Sequence, residues 1–160
     1  MTIEIDCDLL ARSALGQELE RGECEVLATV MGVRKLKAGE VLVNEGDKDT
    51  TLFVLVDGQL SVVGTTNGKE SSIYKMKPGE VAGTRAFVDR APRKATLKAM
   101  SDATVYTMEP GPFESLLDAH PRVVYKVMRG LFCITHTNLM RMNVESKELS
   151  DYIQRTGRRF

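Results

Sequence analysis

The sequence predicts an α+β fold, a small antiparallel sandwich with helices at both ends, and three observations carry that prediction. Apolar residues recur at helical intervals up to about residue 31. The middle is a series of short β-rich runs separated by glycine-containing turns. From Val123 to Tyr152 there is no proline and one glycine, Gly130, with apolar residues three, four and seven apart. At 160 residues the chain is one domain of ordinary size. Its parts are expected at 1–32 (N-terminal helices), 33–109 (strands) and 110–160 (C-terminal helices).

At the N-terminus, Leu9, Leu10, Leu15, Leu19, Val26, Leu27 and Val30 suggest two short helices broken near Gly22. Beyond Gly32 come the turn signals Ala38-Gly39, Glu45-Gly46-Asp47, Asp57-Gly58, Asn67-Gly68 and Pro78-Gly79. Asp57-Gly58 and Asn67-Gly68 read as hairpin turns, because a type I′ turn needs positive φ at both central positions. The runs Thr51-Leu52-Phe53-Val54-Leu55-Val56 and Ala103-Thr104-Val105-Tyr106-Thr107-Met108 read as strands, as does the stretch from Arg93 to Ala99. A helix is expected to start near Pro112, since proline is tolerated in a first turn. His120-Pro121 then breaks the chain before the long final helix, whose apolar positions include Val124, Met128, Leu131, Leu139, Met142 and Leu149. That stripe packs either on its own domain or on a second chain.

Lys+Arg and Asp+Glu both number 22, so the formal net charge is zero and nothing pulls the chain globally toward nucleic acid or an acidic membrane. The first residues carry acids where a secretory signal would need a basic start and an apolar run. No stretch approaches the length of a membrane span. Cys7, Cys24 and Cys133 are odd in number and far apart, which suits reduced thiols, and the expected compartment is the cytoplasm.

The chemistry concentrates between Lys77 and Thr96. Gly83 opens a stretch long enough for one helical turn, where free backbone N–H groups can meet an anion. Ten positions later comes Arg93, whose rigid guanidinium fork can pair two phosphate oxygens. Lys94 adds a second cation, either for a more highly charged anion or as a solvated side chain on an exposed face. Within residues 79–96, the order Gly83 … Pro92-Arg93-Lys94-Ala95-Thr96 resembles the phosphate-binding cassette of the cyclic-nucleotide-binding domain family, usually Gly-Glu-x-Ala followed by Pro-Arg-x-Ala-Thr. Pro92, Arg93, Ala95 and Thr96 match in place, and the glycine-to-arginine interval is the family's common one. The other register, with Gly79-Glu80 as the cassette pair, makes that interval fourteen and leaves Pro78-Gly79-Glu80-Val81-Ala82-Gly83 unexplained. The run from Ala38 to Asp47, followed by Leu52 to Gly58, is also similar to the family's opening strands, so the resemblance covers about residues 33–109.

The resemblance implies an antiparallel β-roll or jelly-roll sandwich flanked by N-terminal helices and a long C-terminal helix. It also implies a site at Gly83, Thr84, Arg85, Ala86, Arg93, Lys94, Ala95 and Thr96, with a cyclic nucleotide, cAMP or cGMP, or a related phosphate as ligand. In the family a glutamate that accepts from the ribose 2′-hydroxyl follows the cassette glycine; here that position is Thr84. A threonine hydroxyl is uncharged, and a charge-assisted bond is roughly twice as strong as a neutral one. The phosphate half of the cassette is therefore intact and the ribose half altered. Family members cap the base from the last helix, where Thr135, His136, Thr137 and Asn138 are polar; a base edge, a dimer mate or water can satisfy such groups. Thr135 and Asn138 are the candidates.

In the family the long C-terminal helix often forms a dimer seam, so the resemblance also implies a homodimer through that helix. Catabolite-activator-like relatives add a helix-turn-helix module, which would take roughly seventy further residues; direct DNA binding is not expected, and Arg155, Arg158 and Arg159 read as solvated. With only His120 and His136, the strands lack the histidine cluster of a metal-binding cupin, and no nucleophile–base arrangement stands out, so an enzyme is not expected. The expected function is a stand-alone cyclic-nucleotide-binding-like sensor that signals through its C-terminal helices to a partner protein. The alternative is a domain that keeps the fold as a dimerisation or docking module and binds no nucleotide.

Overall fold

The computed structural model describes residues 4–157. Two N-terminal helices, α1 (Cys7–Arg12) and α2 (Arg21–Ala28), precede strands β1 (Met31–Leu36), β2 (Val41–Val43), β3 (Leu52–Asp57), β4 (Leu60–Thr66), β5 (Lys69–Met76) and β6 (Val81–Ala82). The short helix α3 (Thr84–Asp89) leads into β7 (Thr96–Ala99) and β8 (Ala103–Met108), followed by α4 (Pro110–Glu114) and α5 (Pro121–Gly157). One antiparallel sheet has the order β1-β8-β3-β6 and the other β2-β7-β4-β5. The two sheets and their flanking helices match the expected α+β sandwich.

The continuous apolar run of β3 has a simple cause: the strand is covered on both faces. Phe53 and Leu55 point into the sandwich with Leu42, Val43, Leu60, Met76, Leu97 and Val105. Leu52 and Val54 point the other way, into a second core built with Leu10, Leu27, Phe87, Phe113, Val127 and Leu131 from the helices. Successive strand side chains alternate in direction, so a strand covered on one side only would show a polar residue at every second position. Each such leucine, valine or phenylalanine contributes roughly 1.5–3 kcal/mol through burial.

Three local expectations need correction. Gly22 lies inside α2, and the break between the helices falls at Ser13 to Leu19, because Ser13 Oγ donates to the Leu10 carbonyl at 2.6 Å and closes α1. A reciprocal box then starts α2, with Glu20 N–H donating to the Glu23 carboxylate at 3.0 Å. Asp57-Gly58 is not a hairpin turn, since β3 and β4 belong to different sheets and this corner carries the chain from one to the other. Asn67-Gly68 does close a hairpin between β4 and β5, with φ of 55° and 77°. The helix expected from Pro112 starts two residues earlier, with Pro110 in its first turn.

The helix α5 has 37 residues, roughly 55 Å at 1.5 Å each. Its first third is pinned: Val123, Val124, Val127 and Leu131 are buried, and Lys126 Nζ donates to Glu23 of α2 at 2.6 Å. Further along, Leu139, Met142, Leu149 and Ile153 are each more than half exposed. With Met128, Phe132, Thr135 and Ser146 they follow alternating steps of four and three, the spacing of a coiled-coil seam. Arg155 lies in the last turn, while Arg158 and Arg159 lie outside the described residues.

Leu52 is fully buried in the layer between sheet and helices, so Leu52→Ala is expected to cost about 2–5 kcal/mol of unfolding free energy. Urea denaturation should show a lower midpoint at unchanged slope. A loss under about 1 kcal/mol would mean that this layer is not close-packed.

Candidate functional site

Gly83 follows β6 in the left-handed conformation, φ 86° and ψ 17°, and caps α3. A side chain here is excluded twice. The backbone angle disfavours any L residue, and a Cβ would collide with Arg93 Nη1 and come within 2.9 Å of the Thr51 carbonyl oxygen. Gly79 belongs to a separate turn in which Glu80 accepts from Tyr74 Oη at 2.9 Å and from Lys77 N–H at 3.3 Å. Gly83, not Gly79, is the glycine set against Arg93. The helix α3 is held to the core by buried Ala86 and Phe87, the latter 5.6 Å from the Phe113 ring.

Arg93 does not lie on a strand as the sequence suggests; β7 begins at Thr96. Its backbone is engaged by the preceding turn instead: Arg93 N–H donates to the Asp47 carbonyl, and Gly46 N–H to the Arg93 carbonyl, both at 2.8 Å. Thr96 Oγ1 supports the same turn by accepting from Glu45 N–H at 3.0 Å. Clamped in this way, Arg93 turns its side chain inward, where it is 4% exposed. Nη2 donates to Asp49 Oδ2 at 2.9 Å and to the Thr51 carbonyl. The guanidinium carbon lies 5.2 Å from the Phe53 ring centroid. Nε and Nη1 are buried with no hydrogen-bond partner among the described residues. A buried donor without an acceptor costs about 1–3 kcal/mol, more when charged, and this edge of the guanidinium retains two unused donors.

A cavity of about 180 Å³ opens onto Arg93, with Val43 and Leu97 as its apolar walls and Gly83, Thr84, Arg85, Ala86, Lys94 and Ala95 around them. Seven of the ten residues singled out by sequence thus meet at one cavity, whereas Thr96 is not in its lining and bonds to Glu45 N–H. Arg85 and Lys94 are exposed, and no carboxylate lines the cavity. The two residues from α5 go elsewhere. Thr135 lines a cleft of about 480 Å³ between α3 and α5, its Oγ1 donating to the Leu131 carbonyl at 2.9 Å. Asn138 lines a third cleft of about 320 Å³ with Tyr74, Glu80 and Arg141. There the Arg141 guanidinium lies 4.6 Å from the Tyr74 ring centroid, and the hydrogen bond to Glu80 holds the Tyr74 phenol above its usual pKa.

Sequence reasoning missed Asp49, Thr51 and Phe53, which hold the arginine. A local signal existed: Asp49 Oδ1 accepts from Thr51 Oγ1 at 2.7 Å and from its N–H at 3.3 Å, a common Asp-x-Thr turn. That signal marks a turn; it does not reveal a partner 44 residues away.

The cavity thus lies in an antiparallel sandwich, beside a short helix inserted between two strands, and three of its lining residues are cationic. Residues 33–120, more than half of the chain, match the family model described as "Cyclic nucleotide-binding domain", and the chain belongs to that family. It is 26% identical over 123 residues to the cAMP-dependent protein kinase regulatory subunit of Mycosarcoma maydis, a match covering 69% of this chain and 23% of that one. It therefore spans about a quarter of that relative's length. Among solved structures it is similar to a cyclic nucleotide-binding domain from Methylobacillus flagellatus, with TM-score 0.79, 17% identity, and 88% and 84% of the two chains covered. It is also similar to the Thermus thermophilus catabolite activator protein, with TM-score 0.77, 22% identity, and 86% and 63% covered. No helix among the described residues is long and apolar enough to cross a membrane.

Burial raises the Asp49 carboxyl, but the hydrogen bonds from Arg93 and Thr51 outweigh it and hold the pKa below the ordinary carboxylate value. The stabilisation is therefore fully present above the unfolded value near 3.9 and is lost as pH falls through the folded one. Stability measured from about pH 6 down to about pH 2 is expected to drop more steeply in the parent than in Asp49→Asn. Superimposable acid limbs for the two proteins would show that the pair has no linkage to folding.

Proposed function

We propose that this chain is a regulatory sensor that binds a cyclic nucleotide, cAMP or cGMP, or a related phosphate ligand in the Arg93 cavity and signals to a partner protein through α5. The observation that carries this reading is the orphaned guanidinium edge. Nε and Nη1 of Arg93 would donate to two phosphate oxygens. Gly83 leaves the room and, with Ala86 and Ala95, lets the anion approach the backbone, while Lys94 and Arg85 add positive charge at the mouth. Thr84, in place of a carboxylate, offers one hydroxyl. Of the two α5 candidates, Thr135 lines the cleft beside α3 and would meet a ligand that reaches past it, whereas Asn138 lines a separate cleft with Tyr74 and Arg141. The relatives described above favour a regulatory role in signalling over catalysis; cytoplasmic placement and the absence of direct DNA contacts belong to the same reading.

Signal transfer would be a population shift, in which a ligand that touches α3 and α5 differently in two arrangements favours one of them. Isothermal titration with cAMP, cGMP, cyclic dinucleotides and inorganic phosphate is the direct test. At least one is expected to bind, and Arg93→Lys, which keeps the charge but loses the fork, is expected to weaken it about tenfold or more. No heat from any of them at millimolar concentration would overturn the reading.

A second reading, a dimerisation or docking module that binds no nucleotide, draws on Thr84 and on the exposed stripe of α5. The two share one expectation, a homodimer along Leu139, Met142, Leu149 and Ile153. Leu139→Glu combined with Met142→Glu places like charges on the seam. Sedimentation should then find dimer for the parent and monomer for the variant, with equal helicity at matched temperature. Identical masses for the two proteins would rule out the seam.

A further inference from the structure

The cavity at Arg93 and the cleft between α3 and α5 share two wall residues, Thr84 and Arg85. Their chemistry is opposite. The smaller cavity is cationic, with Arg85, Arg93 and Lys94 and no carboxylate in its lining. The larger cleft is apolar, with Val88 from α3 facing Met128, Leu131 and Phe132 from α5, and Asp89 as its one acid. Val88 and Phe132 are 49% and 71% exposed, so the cleft presents apolar surface to water beside an unpartnered cation.

From this pairing we infer that the ligand is a phosphate monoester carrying an alkyl or aryl group, with the phosphate on Arg93 and the apolar group in the α3–α5 cleft. The inference rests on the anion reading given above and narrows its ligand class. Charge argues for the monoester. Asp49 already compensates one of the three cations through its pair with Arg93, and among the described residues Arg85 and Lys94 take part in no ion pair. Three cations less one leaves two, which a monoester of charge about −1.5 to −2 at pH 7 matches better than a cyclic diester of charge −1. Thr84 argues for the apolar group. At the junction of the two spaces Thr84 offers no carboxylate to accept from a sugar hydroxyl, and the wall beyond it is mostly hydrocarbon, with Asp89 its one acid. About 480 Å³ is within the range of small-molecule sites.

The test is titration calorimetry on the full chain with inorganic phosphate, ribose 5-phosphate and n-hexyl phosphate. Hexyl phosphate is expected to bind about tenfold or more tighter than the other two. In Val88→Ser and in Phe132→Ser, two independent substitutions at exposed positions, its advantage over inorganic phosphate measured in the same variant should fall to near one. Arg93→Lys should weaken all three probes. Equal affinities in the parent, with binding still dependent on Arg93, would overturn this inference and leave the anion site standing. No binding of any probe would overturn this inference, and cAMP and cGMP titrated alongside decide the anion site: binding of either leaves it standing, and binding of neither removes it too. If the hexyl advantage persists in Phe132→Ser while the sedimenting mass halves, a second copy covers the cleft and the assignment of an apolar ligand group to it is overturned.

Discussion

Taking a guanidinium out of water costs several kcal/mol unless its charge and its N–H groups are matched, and much of the local architecture answers that cost at Arg93. Asp49 supplies the charge, the Thr51 carbonyl a second acceptor, and the Phe53 ring a polarisable face. All three come from the start of β3 and the turn before it, and β3 contributes to both cores. The arginine is therefore anchored to a strand buried on both faces, although it sits in a loop. A ligand on its remaining edge would bear directly on that strand.

The double burial of β3 also explains how the cassette is tied to the helices. One face of the strand builds the sandwich interior, which walls the cavity through Val43 and Leu97. The other face packs on Phe87 of α3, on Phe113 of α4 and on the buried third of α5. Movement of α3 must therefore be accommodated in the same hydrocarbon layer that seats α5. Beyond Leu131 the seating thins to Ile134 and the Arg141–Tyr74 contact, and the helix carries an exposed apolar stripe. The contacts that hold α5 and the surface it offers to a partner are thus adjacent along one helix, an arrangement suited to reporting a change at the cassette.

Charge is compensated where elements pack and left uncompensated at the cavity mouth. Glu23 and Lys126 join α2 to α5, and the carboxyl of Glu23 is held below its usual pKa first by the hydrogen bond from Lys126. The cavity mouth, in contrast, leaves Arg85 and Lys94 without acidic partners among the described residues. Positive charge left uncompensated beside a buried arginine raises the local potential and favours an anion there.

Residues whose roles are local could be read from the sequence alone. The strand run of Ala103 to Met108, the Asn67-Gly68 hairpin, the uninterrupted final helix and the spacing of Gly83 to Arg93 all depend on neighbours in the chain, and periodicity or turn chemistry reports those. Asp57-Gly58 shows the limit, because the same dipeptide serves a hairpin or a corner and only the sheet to which the next strand pairs decides which. Gly22 shows it again, since Ser13 and the Glu20–Glu23 box place the break elsewhere. Tertiary structure alone decided that Arg93 faces inward against Asp49 and Thr51, and that Thr135 and Asn138 look into different clefts. Those outcomes turn on which surfaces meet across long sequence separations, and a linear pattern carries no record of that.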